Sequence, residues 1–320
     1  MCHELSYRPN AIITIHNDAE KIWIARKGNG VFYSHNGGVD WEWRSEGLTN
    51  LYVLTLEMAP DNPSVIFAGC YSNPSNPQPN VFKTTNGGLT WTPTPGYPPV
   101  NDVYDVETPG APYDILLAGC NGGIYRSSDG GANWQLKYSG IVYDICRDPS
   151  NDGCFYAVLQ IYDTGKVLKS TDYGNSWQEV ILPSGEYPRK IAISPAPNWR
   201  IYVATDGAGV YWKGPEPDQW HLDGAERGIY DKLATTIAVD PHNADFIIYG
   251  TATAVYRNTH FPTNFWEFLS SGFRIIYPAA FTTSLPTGIY AKAVRPRVNT
   301  QNGASSHGIS VYSSTDNGQN

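Results

Sequence analysis

The sequence predicts an all-β fold, a closed ring of seven four-stranded antiparallel blades, with six blades as the alternative count. Three observations predict this β-propeller. An eight-residue pattern (Ser/Thr, any residue, Asp/Asn, any residue, Gly, two residues of any kind, Trp) occurs four times: SHNGGVDW, TTNGGLTW, SSDGGANW and STDYGNSW. The Trp residues at 41, 91, 134, 177, 220 and 266 follow one another at intervals of 50, 43, 43, 43 and 46, a period that suits one four-stranded blade. Between the copies the chain repeats an apolar strand, a Pro/Asn/Asp turn and a second apolar strand.

The units are expected to begin near Ile12, Val53, Val103, Val142, Ile191, Ile237 and Tyr290. VLTLEMAPDNPSVIFAGC and VYDVETPGAPYDILLAGC align without a gap. A third strand (GVFYS, VFKTT, GIYRSS, VLKST, GVYWK, AVYRN, ISVYSS) follows in each unit, and a fourth follows the Trp. A truncated fifth copy, STDNGQN with Asp316, stops one residue before its Trp. The seventh unit then lacks a fourth strand, which ELSY within residues 1–10 is expected to supply, hiding an edge that would invite aggregation. Residues 1–320 are read as one domain, and the ending inside a repeat fits a piece of a longer protein.

Each copy of the pattern has the chemistry of a pinned hairpin. Ser34, Thr84, Ser127 and Ser170, with Asn36, Asn86, Asp129 and Asp172, can accept from backbone N–H groups in a tight turn. Gly38, Gly88, Gly131 and Gly174 permit a positive φ. Trp41, Trp91, Trp134 and Trp177 supply an apolar face for a neighbouring repeat. Asn in place of Asp keeps the acceptor oxygen and loses the charge, which a turn tolerates and a catalytic acid or metal ligand does not.

Composition narrows the function classes. The net charge of −8 argues against a nucleic-acid surface, which needs clustered Lys and Arg. No apolar run approaches a membrane span, and MCHELSYRPN has no signal-peptide core. No CxxC or His-rich spacing marks a metal site, and no motif calls for a cofactor. Five Cys leave at least one thiol unpaired within the chain. Cys70 and Cys120 read as buried thiols too far apart to bond, and Cys146 and Cys154 flank a turn across which they could face each other.

The SSDGGANW-type copies resemble the Asp-box, or BNR, repeat. Families sharing it include sialidases, xyloglucan-cleaving glycosidases, sortilin-type receptors and the photosystem II assembly-factor group. The short regular units are most similar to the last. The resemblance implies an extracytoplasmic or secreted setting, and a ligand face opposite the boxes. A sialidase would need an arginine triad; GFRIIYP offers Arg274 in the wrong place, with Arg295 and Arg297 nearby in sequence. A glycosidase would need two carboxylates on the ligand face. Asp102, Asp105 and Asp144 are the candidates, and Asp105 and Asp144 occupy matching places on innermost strands.

Opposite the boxes, the long loops are expected at 71–80, 92–102, 181–189, 222–233 and 270–290. Function concentrates in loops held by a rigid scaffold. Arg189, Arg227, Lys232 and Arg274 offer a basic patch, and Tyr230, Phe273 and Tyr277 offer aromatic contacts. The expected partner is a protein or peptide on this loop face, without turnover. A glycan, cleaved or merely bound, is the alternative.

Overall fold

The computed structural model describes residues 9–271 apart from 16–17, 73–78, 99–101, 184–186, 216–218, 241–242, 252, 260 and 263–264. Beyond these it describes the strands Tyr277–Phe281, Ile289–Ala293, Pro296–Val298, Ser305–His307 and Ser310–Ser314.

Six sheets have four antiparallel strands in sequence order. Their inner strands are Pro9–Ile15, Val53–Met58, Val103–Glu107, Ile141–Arg147, Pro188–Ile193 and Ala234–Val239, which begin blades 1 to 6. Each blade buries a second strand as an apolar run, such as Ile66–Cys70 and Ile201–Thr205, as expected of a strand covered on both faces. Each inner strand lies against the next, and Tyr277–Phe281 lies between those of blades 6 and 1.

The count of seven four-stranded blades is thereby corrected to six. The last sheet has three strands, Tyr277–Phe281, Ile289–Ala293 and Ser310–Ser314, with Pro296–Val298 and Ser305–His307 as a separate pair. Tyr290 falls in the second strand of this sheet, and the stretch expected as the 270–290 loop contains its inner strand. Residues 277–281, YPAAF, carry a proline and no β-branched side chain, so that strand reads as loop in the sequence. Pro9 and Asn10 do not complete the last sheet: Pro9 pairs with Arg26 inside blade 1. ELSY and Asp316 lie outside the described residues.

All six inner strands carry a bulge at the same place. The unpaired residues are Asn10, Leu54, Tyr104, Tyr143, Arg189 and Thr235. An extra residue bends the strand and re-aims its side chain. Small residues on the second strand sit opposite the residue after the bulge, Gly69 facing Thr55 and Gly119 facing Asp105. A Cβ on Gly69 would stand 2.6 Å from Val103, and one on Gly119 2.8 Å from Val142. The Ala-Gly-Cys repeated at 68–70 and 118–120 is therefore a contact surface for the next blade.

The recurrent hairpins repeat one hydrogen-bond set. In blade 3, Ser127 Oγ accepts from Gly131 N (2.8 Å) and donates to Asp129 Oδ1 (2.8 Å), which accepts from Asn133 N (2.8 Å). Ser34–Asn36, Thr84–Asn86 and Ser170–Asp172 make the same bonds. Bonds from the Asn133 side chain and backbone and from Ser127 hold the Asp129 carboxyl down to about 2. Trp41, Trp134 and Trp177 donate Nε1–H to the Gly carbonyl of their own turn. Trp91 instead reaches across to blade 1, where its Nε1–H donates to Arg44 O and its backbone N–H to Glu46 O.

The cysteine positions are also fixed. Cys70 and Cys120 are buried and free, and Cys146 and Cys154 are free as well. Cys146 pairs with Tyr156, so the register sets Cys154 two residues away from it.

Blade 1 departs from its neighbours at one buried position. Arg26 opposes Pro9 where other blades have Cys70, Cys120, Leu159, Thr205 and Thr251. It is only 1% exposed, and its Nε has no hydrogen-bond partner among the described residues. Burial lowers its pKa, and Phe32 lies 5.3 Å below the guanidinium. Exchanging an uncompensated buried charge for an apolar side chain of similar length is neutral or stabilising. Arg26→Met is expected to raise stability by about 1–3 kcal/mol in a denaturant titration.

Candidate functional site

Backbone bonds sort the loops into two rims. Gly37, Gly87 and Gly130 in the recurrent hairpins donate to Glu20, Ser64 and Asp114 at the start of second strands. Those hairpins therefore share a rim with the first turn of each blade. On the other rim, second-to-third turns bond to blade-to-blade connections: Gly28 N to Leu51 O, Asn121 N to Asp102 O, Asp206 N to Tyr187 O and Gly207 N to Lys232 O. This second rim is the loop face, and it holds Asp102, Arg189, Tyr230 and Lys232.

The bulges deliver side chains to the loop-face end of the channel. Tyr104 Oη donates to Asp102 Oδ2 (3.4 Å), and Asp102 Oδ1 also accepts from Ser72 N (2.9 Å). Tyr143 Oη donates to Gln160 Oε1 (2.7 Å), and Gln160 Nε2 donates to Tyr162 O (2.7 Å). Arg189 stacks over the Tyr143 ring at 4.5 Å and bonds Asp206 Oδ2 at 2.9 Å. Tyr162 is 93% exposed and holds φ +51°. Tyr52 and Tyr71 form a second aromatic pair on this rim, with Lys27 over Tyr71.

Arg227 does not join Arg189. It donates to Pro262 O, lies 3.6 Å from Asp223 and covers Phe265, so it fastens the seam between blades 5 and 6. Tyr230 is exposed, and Lys232 contributes its carbonyl to the Gly207 bond. Tyr277 begins the inner strand of the last sheet, and Arg297 lies in the Pro296–Val298 strand. Phe273, Arg274 and Arg295 lie outside the described residues.

Asp105 and Asp144 occupy matching places, each directly after a bulge, and each reaches to the following blade. Asp105 Oδ2 accepts from Ile145 N (2.7 Å), and Asp105 Oδ1 from Thr55 Oγ1 (3.4 Å). Asp144 Oδ2 accepts from Ile191 N (2.9 Å), and its Oδ1 from Lys190 Nζ (2.5 Å). Two further carboxyls, Glu57 and Glu107, stand two residues along the inner strands of blades 2 and 3. Sequence reasoning passed over both, and Lys190 with them. The signal was available, because Glu57 and Glu107 share one column of the ungapped alignment.

Desolvation dominates the electrostatics. Burial first, then the Asp105 charge, pushes Glu57 up to about 8. Burial and then Asp144 push Asp105 up to about 7. Burial and then Glu57 hold Glu107 well above the carboxylate range. Glu57, Asp105 and Glu107 are each partly rather than fully buried. Asp144, 7% exposed, is raised by burial against the pull of Lys190. A carboxyl held protonated near neutrality can act as a general acid, although structural networks shift pKa values in the same way. No group of residues able to hold a metal occurs among the described residues, and no described helix is long and apolar enough to cross a membrane.

No protein-family model matches the sequence, and no curated protein matches it. Solved structures do match. An ancestral GH74 enzyme superposes with TM-score 0.72 at 18% identity, over 95% of this chain and 46% of its own. The Niastella koreensis GH74 enzyme gives 0.73 at 16%, over 94% of this chain and 54% of its own. YCF48 bound to D1 peptide gives 0.65 at 16%, over 95% of this chain and 92% of its own. The chain thus spans about half the length of the GH74 enzymes. At these identities the likeness establishes the propeller fold, and function has to be argued from the site.

Proposed function

We propose that the chain is a binding scaffold, one propeller domain that presents its loop face to a protein or peptide partner without turnover. The three-stranded sheet counts in this reading as an incomplete seventh blade. One observation carries the proposal: Asp105 and Asp144, the matched aspartates at the channel, each bond a backbone N–H of the next blade. Groups committed to holding the ring are poor acid and base. The loop face meanwhile offers the stacked Tyr143–Arg189 pair and the exposed Tyr162 and Tyr230. YCF48, whose matched structure holds a D1 peptide, corresponds to this chain over nearly its whole length, in favour of a peptide.

Screening against an immobilised peptide library tests the proposal. Tyr143→Ala and Arg189→Ala are each expected to weaken the peptides recovered by about tenfold, the scale of one aromatic or Arg anchor. Asn133→Ala on the opposite rim is expected to leave binding unchanged. Cross-links confined to the recurrent hairpins would overturn the proposal.

A glycoside hydrolase is the second reading. It is favoured by carboxyls near neutrality in the channel, Asp105 at about 7 and Glu57 at about 8. Product release from xyloglucan oligosaccharides, abolished by Asp105→Asn or Asp144→Asn, would establish it over the scaffold reading. Glycan binding without release would indicate a lectin-like use of the same tyrosines.

A further inference from the structure

The channel carboxyls are unevenly placed. Glu57 comes from blade 2, Asp105 and Glu107 from blade 3, and Asp144 from blade 4. Arg147 of blade 4 and Lys190 of blade 5 act on these carboxyls as opposite charges, with the Cys146 thiol among them, on inner strands that pack against one another. Lys190 is engaged by Asp144, and Arg147 is shared with the exposed Asp152 at 4.0 Å. Arg189 is paired with Asp206 at the rim. The inner strands PNAIITI of blade 1 and ATTIAV of blade 6 contain no titratable residue. Among the described residues, four acids thus share two cations along one side of the channel.

From this arrangement we infer that the channel is a proton-operated lock: protonation of Glu57 and Glu107 tightens the inner ring, and their ionisation loosens it. When Glu57 and Glu107 are neutral, Asp105 and Asp144 face two cations and keep their bonds to Ile145 N and Ile191 N. Ionisation of all four leaves two negative charges uncompensated in a partly desolvated space, and repulsion falls on the seams that Asp105 and Asp144 hold.

The direction of the effect follows from linkage. A free Glu titrates near 4.3, whereas Glu57 titrates near 8 in the fold. Between those values the folded chain binds more protons than the unfolded chain, so stability falls as pH rises and the loss is complete above the folded pKa. Each carboxyl in that condition changes the folding equilibrium about tenfold per pH unit. Burial and the neighbouring acids give Glu107 the same sign. The hairpin aspartates have the opposite sign. Desolvation alone would raise Asp172, but the bonds from Ser176 and Ser170 together outweigh it and hold the carboxyl at about 2, so its contribution is lost only as pH falls through that value. Greatest stability is therefore expected in mild acid.

Thermal unfolding of the full chain between pH 5 and 9 tests the lock. Tm is expected to fall steadily from pH 5.5 to 8.5. The Glu57→Gln/Glu107→Gln double variant should lose most of that slope and exceed the native chain in Tm at pH 8.5. Every His is retained in the variant, so the difference in slope isolates the channel. If the double variant does not fold, carbon-detected NMR titration of Glu side chains in the native chain decides the matter instead. At least one Glu carboxyl midpoint above pH 6.5 supports the lock. A native Tm that is flat or rising from pH 6 to 8.5, an unchanged slope in the double variant, or Glu midpoints all below pH 5.5 overturns it. These readouts are independent of whether the loop face binds a peptide.

Discussion

Gly47→Ala is expected to destabilise the chain by about 3–5 kcal/mol, a Tm loss of roughly 5–10 °C. Gly47 follows the outer strand of blade 1 with φ +84°. An alanine there would place its Cβ 2.1 Å from the backbone oxygen of Trp91 in blade 2. That oxygen cannot rotate away, and Trp91 is held twice more, by Glu46 O at 2.7 Å and Arg44 O at 2.9 Å. The substitution must therefore separate two blades or break the turn. Gly37→Ala provides the internal control, because Gly37 has φ +68° and nothing within 4 Å of its Cβ position. It should cost only the left-handed backbone penalty, about 1–2 kcal/mol. Equal losses in the two variants, measured by denaturant titration, would mean that the contact with Trp91 carries no energy.

Asp144→Ala is expected to cost about 3–5 kcal/mol, the usual loss when one partner of a buried ion pair is removed. The variant leaves the Lys190 ammonium without its 2.5 Å partner and the Ile191 N–H without its acceptor. Asp144→Asn/Lys190→Met removes both charges and keeps an oxygen for Ile191, so it should recover most of the loss. A double-mutant cycle measured by chemical unfolding reads this directly. If the losses of Asp144→Asn and Lys190→Met simply add up to that of the double variant, the two side chains are not coupled across the seam between blades 4 and 5.

The legible parts of the fold were those written as repeats. Trp spacing and ungapped strand–turn–strand copies located six inner strands, because each blade solves the same packing problem with the same residue types. The last sheet was misplaced for a physical reason: YPAAF at 277–281 lacks the β-branched run that marked Val53 or Ile237. The site was legible only in part. Asp105 and Asp144 were found because they recur in register. Their role was hidden, since the amides they accept from belong to residues 40 and 47 positions away. Arg227 looked like a free cation in sequence, and only the packing of Pro262 and Phe265 shows it engaged between blades. Lys190 was passed over because a lysine beside an arginine on a strand gives no hint of which one turns inward at a bulge.

Asp105 accepts from Ile145 N and Asp144 accepts from Ile191 N, so blades 3 and 4 each grip the sheet that follows. This gripping sets apart the arc from blade 3 to blade 5, where two successive junctions are held by an aspartate on an amide of the next inner strand. Reopening the chain by circular permutation inside that arc should cost far more than relocating the termini on the opposite side of the ring.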